Sequence, residues 1–172
     1  QEIKEEILFS SSPSQEDIKA ILDMRQKIEK EKGGEKLKAG PGGLVDVEFI
    51  AQAIALLYGY QYKKLRTPST FEILRNASLL EILTMQEAAQ LIASYTFLRD
   101  VENRLRIVDN ISLDSLPDAG EELEKLTRRY AQHLDNKKLT KDEFLAQIED
   151  HTRKVRVIFE SFFNQVYQSF IT

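Results

Sequence analysis

Gly40-Pro-Gly-Gly-Leu-Val-Asp-Val-Glu-Phe-Ile-Ala-Gln52 decides how the rest of the chain is read. Three glycines and a proline make a turn, and an apolar run starts at once behind it. From Leu44 to about Tyr60 apolar residues fall on most sides of a helix: Leu44, Val47, Phe49, Ile50, Ala53, Ile54, Leu57 and Tyr58. A helix apolar nearly all round is a central one. The carboxylates Asp46 and Glu48 sit just inside it, two residues apart and so about 200° apart around the axis. They diverge rather than converge, which speaks against a complete metal site. The residues leave two uses open for Asp46: it serves the positive end of the helix, or it faces the site of a neighbouring domain. Glu48 reads as a salt-bridge or polar partner.

Upstream, Gln1–Ser14 is a lead-in that closes on a serine-rich stretch. Ser14 or Ser12 can cap the helix that follows, with Glu16 and Asp17 in its first turn. That helix runs to about Lys32. Ile18, Ile21, Leu22 and Ile28 form its apolar face; Lys19, Arg25, Lys27, Glu29 and Lys30 are assigned to the other, and Gly33–Gly34 end it. Downstream comes a basic turn with Lys63, Lys64 and Arg66. A helix from Ser69 or Thr70, extending toward Leu80–Leu83, follows. Thr84 and Glu87 then have capping-box spacing ahead of a long helix to about Val108. Glu121 to about Leu134 is amphipathic, and Thr140 caps a last long helix. Its expected seam is Phe144, Ile148, His151, Val155, Ile158, Phe162, Val166 and Phe170. No strand-like alternation longer than four residues is present. The expected fold is all-α, an irregular bundle of six to seven helices over residues 15–172.

Composition narrows function mainly by exclusion. The 172 residues suit one domain with a sizeable core, and 42% apolar with 30% charged residues is an ordinary globular balance. The absence of cysteine excludes disulfides and thiolate-bound metals and fits a cytoplasmic setting. No apolar run is long enough to cross a membrane. The net charge is −4, with basic and acidic residues interspersed, which argues against a nucleic-acid partner. The chain starts with Gln1 rather than Met, so the expectation is a piece of a longer protein.

Candidate chemistry centres on the opening stretch. Gly42 and Gly43 before a helix can present backbone N–H groups to an anion, with Lys36 and Lys38 adding charge. The bland alternative is that the glycines allow a sharp turn and a close approach to another helix. The spacing is not that of a P-loop. His133 and His151 lack a readable catalytic constellation, and His151 reads as buried and hydrogen-bonded. Arg99, Glu102 and Arg106 have ion-pair spacing.

Residues 42–52 resemble the Gly-Gly-Ile/Leu-x-Asp-Ile-Glu-Phe-x-x-Gln signature of glutamine synthetase adenylyltransferases. The resemblance extends to Met24–Arg25, to the run from Lys36 to Pro41, and to Tyr95, Phe97, Leu98, Arg99, Glu102, Arg104 and Leu105. It continues through Leu116–Pro117 and His151–Arg156. The related PII uridylyltransferases share the Gly-Gly-Leu start but typically continue with Arg-Asp; Val45, Phe49 and Gln52 favour the adenylyltransferase branch. The resemblance implies a helical domain following a nucleotidyltransferase domain in a large two-headed enzyme. One half transfers AMP from ATP, with magnesium, to a tyrosine of glutamine synthetase, and the other removes it by phosphorolysis. A PII-type signal protein and glutamine relay nitrogen status. Arg104–Arg106 with Asp114, Leu116 and Pro117 are closer to the C-terminal, adenylylating half. The catalytic carboxylates and Gly-Ser loop of the head do not occur here, so no catalytic or metal-binding residue is expected in this chain. No ATP or magnesium is expected to bind this part alone. Lys36, Lys38, Gly42, Gly43, Asp46 and Glu48 are the candidates to line the nucleotide cleft. The alternatives are a non-catalytic interaction or spacer domain binding glutamine synthetase or a PII-type protein, and the equivalent domain of a PII uridylyltransferase.

Overall fold

A computed structural model describes residues 9, 13–33, 37–108, 120–133 and 139–170. Among them are six α-helices and no strand: α1 (Gln15–Lys32), α2 (Leu44–Tyr58), α3 (Thr70–Leu79), α4 (Met85–Val108), α5 (Glu121–His133) and α6 (Lys141–Gln168). A single 3-10 turn, Lys63–Leu65, lies between α2 and α3. The all-α expectation holds. Lys36 and the side chains of Arg106 and His133 fall outside the described residues, as do the lead-in up to Leu8 and the segment with Pro117.

α2 is the central helix, as its composition requires. It packs against α1, α3, α4, α6 and the 3-10 turn, and Val47, Ile50, Ala53 and Ile54 have no exposed surface. α5 lies at the periphery, against α4 and α6.

The helix starts follow local chemistry. The Ser14 hydroxyl accepts the Asp17 N–H at 3.2 Å and Asp17 returns a bond to the Ser14 N–H. Thr84 with Glu87 and Thr140 with Glu143 repeat this reciprocal arrangement, which satisfies N–H groups that the first turn leaves without partners. α3 stops at Leu79, short of the Leu80–Leu83 extension. Glu81 takes a left-handed conformation (φ 59°), and the Ile82 N–H reaches back to the Ala77 carbonyl at 2.9 Å. The chain thereby reverses and buries Leu83 as an anchor.

Two assignments change once the helices are packed. Arg25 belongs to the inward face of α1, not the polar one, and is only 1% exposed. It follows Ile18 by seven residues, two helical turns, and the charge finds its partner on α2. In α6, Phe159 and Phe163 are buried alongside the expected seam, while Ile158 and His151 are only half-buried. α6 meets α2, α4 and α5 together, so it hides a wider stripe than a two-helix seam would.

Candidate functional site

The loop from Leu37 to Gly43 is built almost wholly from main-chain bonds. Leu44 N–H donates to the Leu37 carbonyl (2.9 Å), Val45 N–H to Lys38 (2.9 Å) and Gly43 N–H to Gly40 (3.0 Å). Gly42 N–H donates to Asp46 Oδ2 at 2.7 Å. The N–H groups of residues 42–45, which the sequence offers to an anion, are therefore each taken inside the chain.

The glycines serve the close approach. Gly42 has φ 73°, and a methyl group on it would sit 1.8 Å from the Thr152 carbonyl oxygen of α6. A side chain on Gly43 would meet the Lys38 and Leu37 carbonyls at 2.7 and 2.9 Å. The loop thus lies directly on the backbone of α6.

Asp46 sits at the centre of this contact with no exposed surface. Besides Gly42, it accepts a hydrogen bond from Arg25 Nε of α1, and Arg156 Nη1 of α6 lies 3.4 Å from its Oδ2. Arg25 also donates from Nη2 to the Gly40 carbonyl at 3.1 Å. Glu29 joins the cluster, with Oε2 at 3.3 Å from Arg25 Nη1 and 3.1 Å from Arg156 Nη1. Glu160 takes the Arg156 Nε at 2.7 Å. Burial alone would lower the pKa of Arg156, but the bond to Glu160 and the charges of Asp46 and Glu29 outweigh it and hold the group above its ordinary value. One carboxylate therefore ties α1, the glycine loop, α2 and α6 together. A buried ion group is costly to assemble and far costlier to leave half made.

Glu48 points the other way, as its helical angle demands. Its Oε1 accepts the Tyr95 hydroxyl at 3.0 Å, and that hydroxyl oxygen accepts Arg99 Nη1 at 2.9 Å. The bond to Tyr95 is the main reason the Arg99 pKa stands above its ordinary value. Phe71 of α3 meets the Tyr95 ring edge-on at 5.4 Å. Glu48 is thus the polar link from α2 to α4.

His151 is half-buried, stacked on Phe97 at 4.3 Å, with Nδ1 2.9 Å from the Ser94 hydroxyl. Ser94 has no exposed surface and also accepts Gln90 Nε2 at 2.9 Å. The Ser94 hydroxyl is thus engaged on both sides inside the fold. Burial lowers the His151 pKa.

Of the sequence candidates, the structure brings Gly42, Gly43 and Asp46 together. Lys38 is exposed on the outside of the same loop, and Glu48 lies apart with Tyr95. The donor set does not fit a magnesium–nucleotide site by itself, because Asp46 is neutralised by two guanidinium groups and Glu48 is engaged by Tyr95. No group of three metal-ligating side chains converges among the described residues. Arg25, Glu29, Arg156 and the Thr152 carbonyl are central here and were not among the sequence candidates. The seven-residue step from Ile18 was the available signal for Arg25; nothing local announces Arg156.

The chain has clear relatives. The family model for GlnD PII-uridylyltransferase matches residues 17–163. A bifunctional glutamine synthetase adenylyltransferase/adenylyl-removing enzyme of Pasteurella multocida is 29% identical over 83% of this chain. The enzymes of the same name from Chromobacterium violaceum and Vibrio parahaemolyticus are 32% and 34% identical over 81% and 73% of it. The matched part is 16%, 15% and 13% of those three relatives, so the chain spans about a sixth of their length or less.

Proposed function

The chain belongs to the family of GlnD PII-uridylyltransferases and glutamine synthetase adenylyltransferases, and we propose that it serves as the helical domain behind a nucleotidyltransferase head in the same polypeptide. In this reading it supports ATP- and magnesium-dependent adenylylation of a tyrosine of glutamine synthetase, in the C-terminal, adenylylating half of a cytoplasmic two-headed enzyme. The companion half reverses the modification by phosphorolysis, and a PII-type signal protein regulates both in response to nitrogen status. The nucleotide and metal are held by the head; this domain braces it and lines one side of the cleft with the Lys38–Glu48 region.

The observation that carries this reading is the Asp46 cluster. It fixes the glycine loop against three helices and leaves Lys38 on the loop's outer surface. A loop held that firmly is a suitable wall for a neighbouring domain's cleft, where precise placement of a charge matters. Asp46 acts through the loop, whereas Lys38 is the side chain free to reach a phosphate.

The test is the full-length enzyme with Lys38→Ala, supplied with ATP, magnesium and glutamine synthetase, AMP transfer being followed by mass. A loss of about tenfold in kcat/KM, the scale of about 1.4 kcal/mol in the barrier, is expected with no change in melting temperature. Unchanged kinetics would remove the cleft-lining role.

The second reading is the equivalent domain of a PII uridylyltransferase, favoured by the name of the matching family model. Supplying UTP and a PII-type protein to the same full-length enzyme decides it, since UMP transfer in place of AMP transfer would establish that branch.

A further inference from the structure

The far end of α2 from the glycine loop carries a feature that the bracing role does not use. Between Glu48 and Glu72 the sequence holds no acidic residue, yet it holds Lys63, Lys64 and Arg66. In a chain of net charge −4 this is a local reversal of sign. The three cations fall in the turn after α2, together with Tyr60 and Tyr62.

That turn is built as a rigid knob. Tyr62 N–H bonds back to the Tyr58 carbonyl at 2.9 Å, and Leu65 N–H to Tyr62 at 2.9 Å. Leu65 is driven fully into the core. Asn76 of α3 donates to the Lys64 carbonyl at 2.8 Å. Arg66 Nε donates to the Gly59 carbonyl at 2.7 Å, and its guanidinium covers the Phe9 ring at 5.0 Å. What the mount leaves outside is selective: Tyr60 and Tyr62 are 39% and 37% exposed, and Lys63 and Lys64 are exposed with them. Neither lysine has an ion-pair partner among the described residues.

We propose that this knob is a docking site for an acidic surface of a protein partner. Its tyrosines supply rigid contact area, which is the composition of interface hot spots, and its lysines supply charge complementarity that steers encounter. Protein rather than nucleic acid is the occupant, because the basic area ends at one turn while a nucleic-acid footprint needs an extended stripe. On the reading above, on which this proposal rests, the partner is the protein substrate, glutamine synthetase. The knob stands about 22 Å from the glycine loop, the length of the 15-residue α2 at 1.5 Å per residue. It therefore grips the substrate protein away from the nucleotide.

The experiment uses the full-length enzyme with Lys63→Glu and Lys64→Glu together. The expected result is a KM for glutamine synthetase raised about tenfold with kcat unchanged, the difference shrinking as salt screens the contact beyond roughly 0.3 M. Lys63→Arg with Lys64→Arg should keep the wild-type KM, and Tyr60→Ala with Tyr62→Ala should raise it by a factor that salt leaves unchanged. An unchanged KM in the glutamate and alanine variants would overturn the proposal. So would tight binding of a labelled oligothymidylate to the wild-type knob that the glutamate variant loses, since the partner would then be nucleic acid. A wild-type enzyme that leaves glutamine synthetase unmodified would overturn both the proposal and the reading beneath it.

Discussion

The seat of the glycine loop and the junction of α4, α5 and α6 are held by different physics. At the seat of the glycine loop the contact is polar: buried Asp46 and Arg25, joined by half-buried Arg156 and Glu29 in one charge cluster. Where α4, α5 and α6 meet one another the contact is apolar and aromatic, with Phe97 edge-on to Tyr130 at 5.6 Å and Tyr130 tilted on Phe144 at 5.1 Å. Apolar packing is non-directional and tolerates exchange of similar volumes. A charge cluster with each bond directed defines one position of the loop and fails when any member is lost. The side that needs precise geometry is the one carrying the polar cluster.

The sharpest way to break this contrast is Asp46→Asn. It preserves shape while removing the charge between two guanidinium groups, and should cost about 3–5 kcal/mol by urea denaturation. Gly42→Ala comes next. It forces a side chain into the Thr152 backbone at a positive φ, and should cost about 2–3 kcal/mol from overpacking and left-handed strain together. Ile148→Val, on the apolar side, should cost only about 1 kcal/mol. If Asp46→Asn proved as mild as Ile148→Val, the loop would be held by its main-chain bonds alone and the polar cluster would be incidental.

The positions of the helices are the legible part. Period, caps and the Gly33–Gly34 stop locate α1, α2, α4, α5 and the start of α6 to within a residue or two, because those signals act within one or two turns. The charge cluster was less legible for the same reason. Asp46 could be seen, but its partners lie 21 and 110 residues away, and sequence spacing carries no record of such pairing. Arg25 reads from sequence with Lys19, Lys27, Glu29 and Lys30 on the polar face, and its buried partner Asp46 only appears when α1 and α2 are set together. Likewise the glycine loop reads from sequence either as an anion cradle or as a close approach. Its bonds to Leu37, Lys38, Gly40 and Asp46 show the close approach.

The smallest expected effect sits on the apolar side and concerns pH. His151 is desolvated between Phe97 and Ser94, with the charges of Asp150 and Lys154 acting on it in opposite directions. Its folded pKa lies below the unfolded value of about 6.5, so between the two the unfolded chain binds more protons than the folded one. Stability then rises with pH through that interval. The contribution is fully present above about pH 6.5 and is lost progressively as pH falls toward the folded pKa. His151→Gln keeps a polar group beside Ser94 and cannot titrate. Its melting temperature should therefore change less between pH 7 and pH 5 than that of the wild type. Equal slopes in the two proteins would mean that the imidazole is as well solvated folded as unfolded, and the aromatic side would then be less dry than its packing indicates.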